Sequence, residues 1–326
     1  MSSITLVEAV NLALARAMEE DDNVVVLGED VGLNGGVFRA TAGLQKRFGA
    51  ERVADTPLAE GLIAGMAVGM AAEGLRPVAE IQFAGFAYVA IDQMLNHAGR
   101  LRHRTQGRLT CPMVLRTPCG AGIHAPEHHS ESPEAMFAHI PGIRVVYPSS
   151  PAKAYGLLLA SIQDPDPVVF LEPSRLYRRF KEEVLDDGAP LPLDQAFVAR
   201  AGTDLTIVTW GGMVHTSLEA ADELAAEGVF AEVVDLATVK PIDMDTILES
   251  VRKTTRCLVV TEAPRTCSLA SEISANVSEQ ALLSLVAPVE RVTAWDTVTP
   301  MFRLEHHYMP DAARIVHAAR KLMEFK

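Results

Sequence analysis

A rhythm of short apolar segments separated by helical stretches most strongly constrains the fold of this chain. Segments such as 24–27 and 168–171 have the length and composition of buried strands, and runs of helical period lie between them. Alternating strands and helices are typical of parallel sheets covered by helices on both faces. The rhythm breaks in the acidic, proline-bearing segment 181–200 and then restarts. We therefore predict an α/β protein with two three-layer domains, 1–185 and 186–326, joined by a linker at about 181–200.

Composition and charge exclude several classes of protein. Apolar residues make up 48% and charged residues 22% of the 326 positions, which is typical of a globular protein. The net charge of −13 argues against a nucleic-acid partner. The most apolar segment, 62–72, is too short to span a bilayer, and the N-terminus lacks a signal-peptide pattern. Four cysteines without a CxxC pattern suit a reducing compartment, so we expect no membrane association and a cytoplasmic location.

Two short motifs match catalytic patterns, but each has a simpler explanation. His124, Glu127 and His128 fit the H-x-x-E-H zinc pattern, which requires both histidines on one helical face. A proline inside this pattern makes a helix improbable. Ser150 and Lys153 fit an S-x-x-K acyl-transfer pattern, yet a serine before proline is a common helix cap. The chain contains no G-x-G-x-x-G, P-loop or G-x-S-x-G motif, so nicotinamide, nucleotide and hydrolase functions lose their main support.

One predicted helix, at about 59–73, is unusually rich in glycine. Gly61, Gly65 and Gly69 recur at four-residue spacing. Each glycine costs a helix about 1 kcal/mol relative to alanine. We therefore expect another backbone to pack closely against this face.

Polar residues and aromatics follow several predicted strands, where active sites of α/β proteins usually lie. Glu29, Glu60, Gln82 and Phe86 come after three consecutive strands, and His129 lies in a loop rich in glycine and proline. Taken singly, each has an ordinary explanation as a helix-capping acid, a core aromatic or a solvated histidine. Their significance depends on whether they form one site.

The chain resembles the beta subunits of 2-oxo acid dehydrogenase decarboxylase components, which belong to the transketolase-like group. The resemblance extends from about Leu6 to about Arg314 and implies a transketolase-like fold. It rests on the following segments, which occur in this order: 28–31 (GEDV), 35–38 (GGVF), 55–60 (DTPLAE), 76–83 (RPVAEIQF), 128–130 (HHS), 132–135 (SPEA), 164–173 (DPDPVVFLEP) and 290–293 (ERVT).

The resemblance implies that the chain binds the aminopyrimidine half of thiamine diphosphate. Glu60 matches the acid that hydrogen-bonds N1′ of that ring and so assists removal of the thiazolium C2 proton. Leu58 and Phe86 match residues that pack on the pyrimidine, and Gln82 matches a polar contact to it. Glu29 matches a nearby acid that conducts protons. The resemblance also implies that the pocket around Glu60 excludes water.

His129 matches the family histidine that serves acyl transfer to a lipoyl group. An imidazole suits this role because it exchanges protons near neutral pH. The surroundings depart from the commoner family pattern at three positions. Gly85 stands where many members have aspartate, Glu131 where many have glutamine, and Cys119 where an aromatic residue is frequent.

Metal binding and subunit composition are also implied by the resemblance. Ser161, Asp164 and Asp166 correspond to a loop that holds a structural potassium ion in some relatives. The Gly-Asp-Gly motif that holds magnesium and the diphosphate is absent from this chain. A separate alpha subunit is therefore implied, which supplies magnesium binding within an α2β2 heterotetramer.

The implied function is that of the beta subunit of a 2-oxo acid dehydrogenase, acting on lipoyl groups of an acyltransferase core. Pyruvate is the favoured substrate because the loop 125–132 resembles pyruvate-type subunits, with branched-chain 2-oxo acids and acetoin as alternatives. A catalytically silent scaffold of the same fold is a further alternative, which the intact Glu60, Gln82, Phe86 and His129 disfavour. A single-chain synthase of 1-deoxyxylulose 5-phosphate is disfavoured by the chain length and the missing diphosphate motif.

Overall fold

A computed structural model describes residues 2–325 and contains two helix-covered sheets and a small separate ribbon. Its strands are β1 (Ser2–Ile4), β2 (Val24–Gly28), β3 (Val53–Asp55), β4 (Arg76–Glu80), β5 (Val114–Cys119), β6 (Arg144–Val146), β7 (Val168–Pro173), β8 (Glu182–Val184), β9 (Phe197–Arg200), β10 (Leu205–Thr209), β11 (Ala231–Asp235), β12 (Thr238–Lys240), β13 (Cys257–Pro264) and β14 (Glu290–Ala294). Its α-helices are α1 (Leu6–Glu20), α2 (Leu44–Phe48), α3 (Glu60–Ala72), α4 (Ile91–Asn96), α5 (Leu101–Arg104), α6 (Glu134–Ala138), α7 (Pro151–Gln163), α8 (Met213–Ala226), α9 (Met244–Thr254), α10 (Leu269–Ala281), α11 (Glu305–Tyr308) and α12 (Ala312–Met323).

The first sheet has the strand order β12-β6-β7-β5-β4-β2-β3. All neighbouring pairs are parallel except β12 with β6. Successive residues of its strands alternate between two cores, as a sheet buried on both faces requires. Val168 and Phe170 belong to the core under α1 and α7, whereas Val169 and Leu171 belong to the core under α3. The predicted parallel α/β architecture is confirmed.

The second sheet has the order β14-β13-β10-β11-β9, with only the edge strand β9 antiparallel to its neighbour. Helices α8 and α12 cover one face, and α9 and α10 cover the other. The α9 and α10 side shares one continuous core with the α3 side of the first sheet. The two sheet layers therefore pack on each other through apolar contacts.

The segment 181–200, where the sequence predicts a linker, forms part of both halves of the molecule. β8 pairs with β1 near the N-terminus, and β9 pairs with β11 of the second sheet. β12 comes from the second half of the chain but completes the edge of the first sheet. The sequence pattern did not predict that crossing, because it depends on tertiary pairing. The domain boundary near residue 185 remains a prediction.

The glycine-rich helix α3 is only partly covered. A Cβ atom added to Gly61 would lie 3.6 Å from the carbonyl oxygen of Val89, and one on Gly69 would have no neighbour within 4 Å. Within the described residues another backbone reaches this face only near Gly61, so the expected close packing along the glycine face stays a prediction. Leu62 and Met66 of the same helix are exposed. None of the described helices, including this one, is long and apolar enough to cross a membrane.

Candidate active site

The predicted site residues meet at one edge of the first sheet. β5, β4, β2 and β3 are neighbours in that order, and they are parallel. Their carboxyl ends therefore lie side by side, which is where ligands bind in open α/β sheets. Glu29 follows β2, Glu60 follows β3, Gln82 follows β4, and the loop that carries His129 follows β5. The fold thus brings these four predicted residues to a single edge.

Two acids lie together at this edge. Glu29 is buried, and its Oε1 atom has no hydrogen-bond partner among the described residues. Burial raises the pKa of Glu29, and the nearby negative charges of Glu60, Asp30 and Glu80 raise it further. Glu60 is the first residue of α3 and is only partly buried. The dry pocket that the resemblance implies around Glu60 is therefore not closed by this chain alone.

The glycine-rich loop that follows Glu29 is folded tightly against the neighbouring strands. Gly36 has a φ of +76°, and a Cβ atom there would lie 2.8 Å from Oε1 of Glu80. Only glycine combines this left-handed backbone with so close an approach. The amide of Gly32 donates to Oδ1 of Asp55 at 2.6 Å. These contacts hold the loop against the ends of β3 and β4 and fix the position of Glu29.

A buried charge cluster behind the loop was not predicted from the sequence. Arg116 of β5 is fully buried and donates to both carboxylate oxygens of Glu172, through Nε at 2.7 Å and Nη2 at 2.8 Å. Its third contact is with Glu80, and the hydroxyl of Tyr177 donates to Glu172. Removing one member of such a buried ion pair typically costs about 3–5 kcal/mol. The only sequence signal is an arginine within a strand that is otherwise uncharged.

Aromatic rings and histidines form a wall beside the acids. The rings of Phe83 and His129 are 3.9 Å apart, and the rings of Phe86 and His129 are 5.5 Å apart. Nδ1 of His129 is buried without a hydrogen-bond partner among the described residues. Burial lowers the pKa of His129, and the charge of the neighbouring His128 lowers it further. The imidazole is therefore neutral near pH 7 and able to accept a proton.

Leu58 and Gln82 complete the set of predicted cofactor contacts. Leu58 lies in the loop before α3, and 82% of it is exposed. Gln82 lies two residues after the end of β4 and is partly buried. An apolar side chain at the tip of a loop gains little from folding within this chain. Leu58 is therefore available to contact a ligand or another chain.

The predicted potassium loop uses its side chains for other contacts. Asp164 pairs with Arg144 at 2.9 Å, and Asp166 pairs with Arg102 at 2.7 Å. The hydroxyl of Ser161 donates to a carbonyl one turn back in α7. Within residues 2–325, no group of three or more His, Cys, Asp or Glu side chains is arranged to hold a metal ion. Potassium binding through backbone carbonyls in this loop stays a prediction.

The geometry also accounts for the two misleading motifs. His124 has a left-handed φ of +59°, and His128 lies in the single 3-10 turn Glu127–His129, so the two do not share a helical face. The hydroxyl of Ser150 accepts a hydrogen bond from the amide of Lys153, which confirms the predicted helix cap. The Lys153 ammonium lies 2.5 Å from the buried carboxylate of Asp235. It therefore ties the two domains together.

Another acid, Glu134, joins the histidine loop to the second domain, a role not predicted from the sequence. It is fully buried at the start of α6, and its Oε1 atom accepts hydrogen bonds from Trp210 Nε1 and Thr261 Oγ1, both at 3.3 Å. Burial raises the pKa of Glu134 to about 7, and the charge of Glu262 contributes to the increase. The loop that bears His129 is thus attached at its far end to the seam between the domains.

Comparison with known proteins agrees with this arrangement. Residues 2–179 match the family model described as transketolase, pyrimidine binding domain, and residues 194–315 match transketolase, C-terminal domain. The chain is 50% identical over 325 residues to the pyruvate dehydrogenase E1 component subunit beta of Bacillus subtilis, covering all of both chains. It is also 50% identical to the same subunit of Acholeplasma laidlawii, over 99% of this chain and 98% of the relative.

A solved structure supports the same assignment. The protein titled split gene transketolase, inactive beta4 tetramer, superimposes with a TM-score of 0.81 at 25% identity over the full length of both chains. The predicted transketolase-like fold and the resemblance to dehydrogenase beta subunits are both confirmed. With two matching domain models and full-length relatives, the chain belongs to the family of pyruvate dehydrogenase E1 beta subunits.

Proposed function

We propose that this chain is the beta half of a pyruvate dehydrogenase that decarboxylates pyruvate oxidatively and transfers the acyl group to a lipoyl group. One observation carries the proposal. Two acids and a histidine-bearing loop meet at one sheet edge, and both Glu29 and His129 keep a buried polar atom without a partner among the described residues. Full-length relatives at 46–50% identity carry the pyruvate name, which supports pyruvate over branched-chain 2-oxo acids and acetoin.

The residues at this edge fit the aminopyrimidine half of thiamine diphosphate. The Oε1 atom of Glu29 has no hydrogen-bond partner among the described residues, and Leu58 is mostly exposed. A ring with polar atoms at its edge and an apolar face would give Glu29 a hydrogen bond and Leu58 an apolar contact. Glu60 would bind N1′ of the ring, Leu58 and Phe86 would pack on its faces, and Gln82 would contact its polar edge. Thiamine diphosphate, when bound, supplies the nucleophilic carbon and the electron sink for decarboxylation.

The chain's own residues would hold and move protons around that group. Glu60 would hold a proton at N1′, since a carboxyl there is a hydrogen-bonding acid–base group. Glu29 lies close enough to Glu60 for the two charges to interact, and its raised pKa favours a shared proton. His129, kept neutral by burial, would exchange a proton with the lipoyl sulfur during acyl transfer. The two half-reactions would thus depend on different residues of the site.

A second chain is needed to complete the site. No Gly-Asp-Gly motif is present to hold magnesium and the diphosphate. Apolar side chains remain exposed beside Glu60, namely Leu58, Leu62, Met66 and Val89. We infer that an alpha subunit covers this surface, supplies the magnesium site and forms an α2β2 heterotetramer, which then serves a lipoyl-bearing acyltransferase core. Of the two domains, 1–185 and 186–326, the first would carry the site residues, and both would form the seam between them.

Titration calorimetry of the chain with and without its alpha subunit tests the proposal. The chain alone should not bind magnesium thiamine diphosphate tightly, whereas the reconstituted pair should bind it and decarboxylate pyruvate faster than branched-chain 2-oxo acids or acetoin. Tight binding by the chain alone would contradict the shared site. A reconstituted pair that binds the cofactor but acts on none of the three substrates would favour the silent scaffold.

A further inference from the structure

The loop that bears His129 is attached to the rest of the first domain by backbone contacts. Gly85 lies in the 3-10 segment Ala84–Ala90, and a Cβ atom there would lie 2.0 Å from the carbonyl oxygen of His128. Any residue larger than glycine would displace the loop, because the obstacle is backbone. At the end of β5, the amide of Gly120 donates to the carbonyl of Glu131 at 2.8 Å. The backbone is thus fixed on both sides of His129.

A side-chain contact also crosses from the same 3-10 segment to the loop. The hydroxyl of Tyr88 donates to Oε2 of Glu131 at 3.0 Å, and the pair is partly buried. Burial raises the pKa of Tyr88, so its hydroxyl keeps its proton and remains a donor. Glu131 lies two residues from His129. Gly85 and Glu131 are also two of the positions at which the sequence departs from the commoner family pattern.

We propose that Tyr88 and Glu131 form a clamp that positions His129 for acyl transfer. The inference rests on the proposed function, since it assigns the clamp to the second half-reaction. The ring of His129 stands against Phe83, which precedes the 3-10 segment that carries Tyr88. A shift of the loop relative to that segment would therefore change the direction of the imidazole. Decarboxylation depends on the Glu60 side of the site and should not be affected by such a shift.

Tyr88→Phe in the reconstituted pair tests the clamp. Reductive acylation of a free lipoyl domain should fall about tenfold, the effect of roughly one hydrogen bond. Activity with an artificial electron acceptor should stay within about twofold of wild type. Tyr155→Phe is the matched control, because the Tyr155 hydroxyl donates to a carboxylate of Asp186 at 2.8 Å far from the loop. The control should leave both activities at the wild-type rate.

Variants at Glu131 provide a second test. Glu131→Gln keeps an acceptor oxygen and should retain nearly full acylation, whereas Glu131→Leu should match Tyr88→Phe. The double variant Tyr88→Phe with Glu131→Leu should be no worse than either single variant, since both remove the same contact. Proton NMR titration of the chain labelled at histidine supplies a readout besides activity. Loss of the clamp should move the pKa of His129 up toward the ordinary histidine value as the ring becomes solvated.

These measurements separate failure of the clamp from failure of the proposed function. His129→Ala serves as the reference: if it leaves acylation unchanged, the acyl-transfer role of His129 is wrong, and the NMR titration alone decides the clamp. If Tyr88→Phe changes neither acylation nor the His129 titration, the clamp is overturned. Equal losses in both activities would also overturn it, since they indicate a general packing role.

Discussion

The two parallel sheets of this chain present their carboxyl edges to different surroundings. The first edge carries the predicted site residues and remains partly open. At the second edge, Trp210 follows β10, Asp235 ends β11 and Glu262 lies near the end of β13, and all three are buried against the first domain. Trp210 donates to Glu134, and Asp235 pairs with Lys153. The same position in the same kind of sheet holds the candidate site in one case and the seam between the domains in the other.

The difference between the two edges lies in how accessible their polar residues are to a ligand or a second chain. Buried polar groups are normally paired, and at the second edge Trp210 and Asp235 find partners across the seam. Glu134 and Glu262 at the seam each keep one oxygen without a partner among the described residues, but both side chains are enclosed between the two halves of the molecule. At the first edge, Glu29 and His129 each keep a buried atom without a partner among the described residues. A ligand and a second chain can satisfy those atoms. Substitutions at the first edge should therefore change catalysis, and substitutions at the second edge should change stability.

The largest effect on turnover is expected for Glu60→Gln in the reconstituted pair. Hydrogen–deuterium exchange at C2 of bound thiamine diphosphate should slow by about 10²-fold or more, the scale of a positioned acid–base group. The unfolding midpoint should hardly change, because Glu60 is partly exposed. Glu73→Gln, at the other end of α3, is the control and should exchange at the wild-type rate. Unchanged exchange in Glu60→Gln would reduce Glu60 to a helix-capping role.

The next largest effect is expected for His129→Ala, which distinguishes the two half-reactions at the first edge. Reductive acylation of a lipoyl domain should fall by about 10²-fold, while activity with an artificial electron acceptor should fall by less than about tenfold. The reason is that decarboxylation depends on the Glu60 side. Equal losses would mean that His129 positions substrate or loop. Loss of acylation in His128→Ala instead would transfer the role to that neighbour.

Much of the fold could be predicted because its signals are local. The predicted strands 24–27 and 168–171 and the predicted helix at about 59–73 agree with Val24–Gly28, Val168–Pro173 and Glu60–Ala72 to within two residues at each end. Buried strands carry continuous apolar runs, and a serine followed by proline marks a helix start. The crossing of β12 into the first sheet carries no such signal. Pairing between distant segments is decided by packing.

The residues of the candidate site could be predicted only through the resemblance to the family. Glu60 and His129 were identified from the family resemblance, since each alone has an ordinary structural explanation. The position of Glu134 in the sequence gave no indication of its role, and the only signal for Arg116 was an arginine within a buried strand. Glu134 bonds to groups 76 and 127 residues away, so its environment exists only in the folded chain. The partners of a buried polar group are the part of a site that a single sequence conceals.

A smaller effect on turnover is expected for Leu58→Ala. Its side chain is 82% exposed in this chain, so truncation should leave the unfolding midpoint of the isolated chain unchanged. In the reconstituted pair, the dissociation constant of thiamine diphosphate should rise about tenfold, because a leucine contact with the pyrimidine is lost. Leu283→Ala, fully exposed in the second half of the chain, is the control. A lower midpoint with normal binding would make Leu58 a packing residue.

The smallest effect on turnover is expected at the seam, for Glu134→Gln. Glutamine resembles the protonated acid and keeps an acceptor for Trp210 and Thr261, so activity should stay within about twofold. Stability should respond instead. The pKa of Glu134 is raised to about 7 in the folded chain, so the folded state holds a proton that the unfolded state releases above its ordinary value of 4.5. Stability from this group is complete below pH 4.5 and is lost as pH rises through 7.

The pH dependence of unfolding therefore distinguishes the two edges. Between pH 5 and 7.5 the wild-type pair should lose roughly 1–3 kcal/mol of stability through Glu134, and Glu134→Gln should lose less over the same window. Some slope should remain, since burial also raises the pKa of Glu262 at the seam and of Glu80 under the first edge. Thermal unfolding at several pH values measures the slopes. If the pH dependence of the unfolding midpoint is unchanged in Glu134→Gln, Glu134 does not account for the pH dependence of stability at the seam. If activity also falls, Glu134 belongs to the catalytic edge, and the contrast between the two sheets is wrong.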